Sequence, residues 1–162
     1  MVYNVIKRVY ALFVIMANYL QSPLLLAIRI YFFWQLYLTG KGKLEHLDKV
    51  TQFFTSLGIP FPGLNAVFIG SLECFGGLLL IAGLFSRPIA LMIFVSMTVA
   101  YVTADMEALS SIISDPDKFV KADPFAYWLS ALIILAFGAG LFSLDALGGY
   151  LLRKRGMKSR GE

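Results

Sequence analysis

Four stretches of this chain carry almost no charge and approach the length of a bilayer span: Pro23 to Thr39, Leu64 to Phe85, Pro88 to Thr103 and Pro124 to Leu144. A span takes roughly 20 mainly apolar residues, with a lower limit near 17, so the first and third draw on flanking residues. Lipid offers backbone amides and carbonyls no partners, which leaves helices as the form such segments take. Composition agrees, at 59% hydrophobic and 15% charged residues, where soluble domains hold about half and a quarter. The fold class expected is an all-α membrane protein, a four-transmembrane-helix bundle with short amphipathic interfacial helices.

Punctuation in the sequence sets the expected boundaries. Ser22-Pro23, Ser86-Arg87-Pro88 and Asp123-Pro124 each put proline near a first helical position, with Ser or Asp beside it to cap free amides. Ile59-Pro60-Phe61-Pro62-Gly63 cannot continue a helix. Leu44, Leu47, Val50, Phe54 and Leu57 recur at helical spacing before Gly58, which predicts an interfacial helix. Val5, Val9, Leu12, Met16 and Leu20 repeat the pattern behind Lys7 and Arg8. A signal peptide is the rival reading of that stretch, but no small-residue cleavage site follows, and an uncleaved amphipathic helix is preferred. Three regions result: an amphipathic segment over 1–21, a membrane domain over 22–147 and a basic tail over 148–162.

Basic residues give the orientation. Placing both termini and the Arg87 turn on one side collects Lys7, Arg8, Arg87 and the tail cations Arg153, Lys154, Arg155, Lys158 and Arg160. The other side holds Lys41, Lys43, Lys49, Lys118 and Lys121, so both ends are expected in the cytoplasm. Directly after an apolar helix, the tail reads as an anchor for anionic headgroups and not as a nucleic-acid site. Cys74 is the only cysteine and His46 the only histidine, which excludes a disulfide within the chain, a CxxC redox pair and bis-histidine haem. No metal site is expected.

Charges within spans are the informative exceptions, because each costs about 3 kcal/mol or more in hydrocarbon. Arg29 lies in the first span and Glu73 near the middle of the second. Arg29 can reach outward along its stem, so a direct Arg29–Glu73 pair would offset the cost of both. Such a pair either pins two helices or forms a polar, proton-handling site, and the catalytic candidates are Glu73 and Arg29. Gly76 and Gly77 follow Glu73 and leave room beside its carboxylate. Tyr31, Phe32, Phe33, Trp34 and Tyr37 offer aromatic surface, as membrane anchors or against a flat ring. Gly138-Ala139-Gly140 reads as helix packing. Asp105, Glu107 and Asp145 read as ordinary interface residues at helix ends.

The order of these pieces resembles the DoxX family of small integral membrane proteins. The resemblance rests on Arg29, then Gly40-Lys41-Gly42-Lys43, Glu73-Cys74-Phe75-Gly76-Gly77 and Gly83-Leu84-Phe85-Ser86-Arg87, over about residues 24 to 105. It implies a four-helix membrane fold linked to membrane redox systems, notably thiosulfate:quinone oxidoreduction, in a prokaryotic cytoplasmic (inner) membrane. Arg29, Lys43, Glu73 and Arg87 match the family's polar positions, and the ligand-binding set expected is Arg29, Lys43, Glu73, Gly76 and Gly77. The cofactor expected is a quinone, without haem or metal. Partners expected are the lipid bilayer, redox proteins and further copies of the chain, with no nucleic acid. The chain holds no redox centre of its own, so electrons would have to reside on a partner or bound cofactor. The alternatives are a non-enzymatic membrane scaffold and a small transporter using the buried carboxylate.

Overall fold

The computed structural model describes residues 2–158, so Arg160 of the basic tail lies outside the described residues. Among them are eight helices: α1 (Val2–Glu45), α2 (Leu47–Ser56), α3 (Pro62–Ala82), α4 (Ser86–Thr103), α5 (Met106–Ser110), α6 (Pro116–Lys121), α7 (Phe125–Phe137) and α8 (Leu144–Lys158). Helices α1, α3 and α4 are long and apolar enough to cross a membrane, and α7 is a shorter apolar helix. The fourth stretch is therefore a helix of 13 residues, about 20 Å long at 1.5 Å per residue, not the 21-residue span expected. Gly138 and Gly140 stop it with φ of 78° and 77°. They act as a chain break that L-residues tolerate poorly, where a continuous packed helix was expected.

Pro23 does not begin a helix. It lies inside α1, which runs 44 residues without interruption, about 66 Å and twice the hydrocarbon thickness. A proline removes one backbone bond from a helix, a loss that membrane helices tolerate where neighbouring groups or a local adjustment of the helix satisfy the freed carbonyl. Ser22 caps nothing; its hydroxyl accepts the Leu141 amide at 3.2 Å. Helices α4 and α7 likewise start without a cap from their own Ser86 or Asp123.

Helix α2 follows the expected pattern: Leu47, Val50, Phe54 and Leu57 are partly covered, while Asp48, Lys49 and Gln52 are exposed. It ends at Gly58, whose φ is +70°, and it packs on α3.

The core lies between α1, α3, α4 and α7, around Phe33, Leu36, Leu80, Ile93, Ala131 and Ile134. Outside it, Ile30, Trp34, Phe68, Phe75, Val95 and Val102 are exposed on the surface of the protein. A soluble protein would bury such a surface; an integral membrane protein presents it to lipid.

Glycines let α1 and α3 touch backbone to backbone. A methyl group on Gly77 would sit 3.0 Å from the Phe33 carbonyl oxygen, and one on Gly40 2.7 Å from Glu73 Cβ. The loop from Asp105 to Asp123 folds as α5 and α6. Phe119 stacks on Tyr101 at 4.8 Å and accepts its hydroxyl proton at 2.9 Å. This end of the bundle also carries α2.

Candidate functional site

Glu73 packs directly against Gly40 of α1, and the close approach there brings Lys43, about one helical turn further on, alongside. Lys43 Nζ donates to Glu73 Oε1 at 2.6 Å. The pair is unequal: the Glu73 side chain is 2% exposed, and that of Lys43 is 28% exposed. Glu73 Oε2 is buried and has no hydrogen-bond partner among the described residues. An ionised carboxylate offers about four acceptor sites, of which the Lys43 bond fills one.

Lys43 and Glu73 line a cleft of about 650 Å³, within the range of small-molecule sites. Its walls come from the ends of α1 and α4, the starts of α3 and α7, and α2. The lining is mostly apolar, with Leu36, Phe53, Phe54, Met97 and Tyr127 among its residues. Lys49, Asn65, Asp105 and Asp123 add polar groups to it. The interfacial helix thus forms a wall of the site, a part that reading it as a surface element did not give it.

Arg29 is elsewhere. It is buried, and its guanidinium donates to Leu80 O at 2.7 Å, Ile81 O at 2.5 Å, Ala139 O at 2.7 Å and Phe142 O at 2.9 Å. Leu80 lies seven residues beyond Glu73, about 10 Å further along α3. The expected Arg29–Glu73 pair is therefore not formed. Helix α3 ends at Ala82 in a Gly83 turn whose amides close onto Leu79 and Leu80 O; Arg29 adds donors to Leu80 and Ile81 O, and a cation there also complements the helix dipole. Four of the five guanidinium N–H groups find acceptors in this nest, which leaves Arg29 no role at the Glu73 cleft.

A second residue completes the nest. Asp145 Oδ1 and Oδ2 accept the amides of Phe85 and Ser86, each at 2.9 Å, and its own amide donates to Gly83 O at 2.9 Å. Asp145 supplies the N-terminal cap of α4 from about 60 residues away in sequence. Partial burial works against its charge. The amide and nearby hydroxyl of Ser86, the Phe85 amide and positive Arg29 outweigh that, holding its carboxyl below the usual range. It is not the ordinary interface residue its position implied. The turn Gly83-Leu84-Phe85-Ser86 lacks an acid of its own to cap α4, the one local sign that a distant residue does so.

Gly76 faces Ile89 and Ile93 of α4, and Gly77 faces the α1 backbone, so both serve helix contact and neither lines the cleft. Arg87 reaches Ala136 O at 3.4 Å, at the Arg29 end. Among the described residues no group of His, Cys, Asp and Glu has metal-ligand spacing.

The family model for DoxX matches residues 24–106, about half of the chain. The chain belongs to the DoxX family. That match takes in Arg29, Lys43 and Glu73, but not Asp145 or Tyr127, so part of both the nest and the cleft lies beyond it. No curated protein and no solved structure matches this DoxX protein.

Proposed function

We propose that this DoxX protein binds a small ring-bearing, quinone-like molecule in the Glu73 cleft, as a subunit of a membrane redox system. The observation that carries the proposal is that the Lys43–Glu73 pair lines a mostly apolar cleft of about 650 Å³. Lys43 fixes the carboxylate and has further N–H groups to offer a ligand oxygen. Tyr127, Phe53 and Phe54 are suited to a flat ring. When the bound molecule is in its reduced, hydroxyl-bearing form, Glu73 would accept a proton from it while a partner protein takes the electron. Of the pair first considered for catalysis, Glu73 keeps that role here, and Arg29 becomes a structural residue.

In the same proposal, α7 with its flanking residues is the fourth membrane element. Both termini face the cytoplasm across a prokaryotic inner membrane, an orientation favoured by the basic residues near each end. A scaffold is the second reading. The part of α1 before Ser22 favours it, because Tyr3, Tyr10, Phe13 and Tyr19 there are exposed.

The test is purification in mild detergent, mass spectrometry of copurified molecules, and titration with a short-chain quinone analogue. Wild type should carry or bind the ring compound. Failure to do either, in protein that elutes as a single species, removes the redox reading and leaves the scaffold.

A further inference from the structure

The cleft follows one stripe of each long helix that lines it. Asn65, Ile69 and Glu73 on α3, and Ser96, Ala100 and Thr103 on α4, recur at the three- and four-residue steps that keep to one helix face. From Asn65 to Glu73 the cleft runs about 12 Å along α3.

Its two ends differ. At one, Lys49 and Asp123 line the cleft and are exposed, and Asp105 beside them is half-buried. At the other, the lining finishes on Leu36 and Met97, both buried. Beyond them Phe33, Leu80, Ile93 and Ile134 are fully buried. At Gly77 the helices touch so closely that a methyl group would sit 3.0 Å from Phe33 O. Interiors packed in this way hold few voids larger than a water molecule. Arg29 closes the last turn through its bonds to Leu80, Ile81, Ala139 and Phe142 carbonyls.

We infer that the cleft is a one-sided vestibule, open to water at the face of the bundle that carries α2, α5 and α6 and sealed towards the face that carries α8. Lys43 agrees with a wet cleft. It packs beside Gly70, eight residues into α3 and about 12 Å from its start, yet its side chain is 28% exposed. Lipid is the rival entrance, because Phe53 and Val99 also line the cleft and are exposed. The charges decide for water: Lys49, Asp105 and Asp123 would be stranded at a doorway made of hydrocarbon. Taking the cleft as the ligand site just proposed, its ligand arrives from the aqueous side that α2 faces. In the orientation proposed above that side is external, so the ligand's source lies outside the cytoplasm.

The test is side-specific thiol labelling of the full chain in right-side-out and inverted membrane vesicles. Cys74→Ala removes the one native thiol, and Ser96→Cys then places a thiol at the inner end of the cleft. Ile69→Cys repeats the measurement from α3 if Ser96→Cys fails to fold. Gln52→Cys on α2 and Lys154→Cys on α8, both exposed positions, report which side each face occupies, so no topology is assumed. The probe is an anionic, membrane-impermeant methanethiosulfonate, compared with lipid-soluble N-ethylmaleimide. The cleft thiol should react with the impermeant reagent in the vesicles where Gln52→Cys reacts, and stay unmodified where Lys154→Cys reacts. Modification from the Lys154 side, by N-ethylmaleimide alone or by neither reagent overturns the one-sided vestibule and leaves ring binding to its own titration. A fully substituted short-chain benzoquinone added first should block the reaction. Modification from the Gln52 side that this compound does not slow supports the vestibule and counts against the ring ligand.

Discussion

Replacing Arg29 by methionine separates the two polar centres of this protein. Methionine keeps much of the side-chain volume but withdraws the donors that hold Leu80, Ile81, Ala139 and Phe142 carbonyls. Each buried bond of this kind contributes about 1 kcal/mol net, and more where the donor is charged. Four of them, less some relaxation of the segment after α7, give an expected loss of about 3–5 kcal/mol. Arg29→Lys keeps the charge at the end of α3 but lacks the planar fork, and should lose about half as much. The assay is thermal unfolding of the detergent-purified chain, followed by the fraction that still elutes as a single species. Both variants should keep ring-ligand affinity at temperatures where they remain folded, because Arg29 lies at the opposite end of α3's second half from Glu73. An Arg29→Met protein that unfolds like wild type but no longer binds the ligand would refute the capping role and return Arg29 to the site.

Four further outcomes follow from the same geometry. Because the folded protein holds the Asp145 carboxyl below its usual range, its stabilising contribution is complete above the ordinary carboxylate pKa. It fades as pH falls through the lower folded value, and Asp145→Asn should flatten that acid-side slope in a pH series of melting temperatures. Lys43→Met should destabilise by about 3–5 kcal/mol by leaving Glu73 buried and unpaired. Glu73→Ala should cost less, since Lys43 can extend to water, and the double variant should recover most of the difference in a double-mutant cycle. Gly40→Val should force α1 and α3 apart at Glu73, lowering both melting temperature and ligand affinity, whereas Gly42→Ala, with open space around it, should change neither. Reporter fusions after Gly58 and Asp115 should read external and those after Arg87 and Lys154 internal; an external C-terminus in intact protein would sink the proposed topology.

What the sequence could disclose was set by distance along the chain. The apolar periodicity of Leu47, Val50, Phe54 and Leu57 is local, and α2 appears where that periodicity puts it. The cost of burying Glu73 is also a local property, and its burial could be expected without knowing its neighbour. The neighbour could not be read off. Two cations, Arg29 and Lys43, lay on the same helix, and the choice between them depends on α1 and α3 running antiparallel in close contact at Gly40 and Gly77. With that register Lys43 meets Glu73, while Arg29 meets the carbonyl end of α3. Asp145 was less legible still, because a cap supplied from beyond α7 leaves only the lack of a local acid as a mark near Phe85 and Ser86. Pro23 misled for the opposite reason: proline is favoured at a helix start, and the helical patterns on either side of it do not show by themselves that they join as one helix.

Photo-crosslinking with an azido-substituted quinol in nanodiscs, followed by peptide mapping, locates the ligand directly. Adducts should fall on the cleft walls, in Val50–Leu57 of the α2 region and Ser96–Thr103 of α4, and should be lost on competition with unlabelled quinol. Adducts concentrated on Leu141–Tyr150 near Arg29, or spread evenly over the lipid-facing residues of α3 and α4, would contradict a site at Glu73.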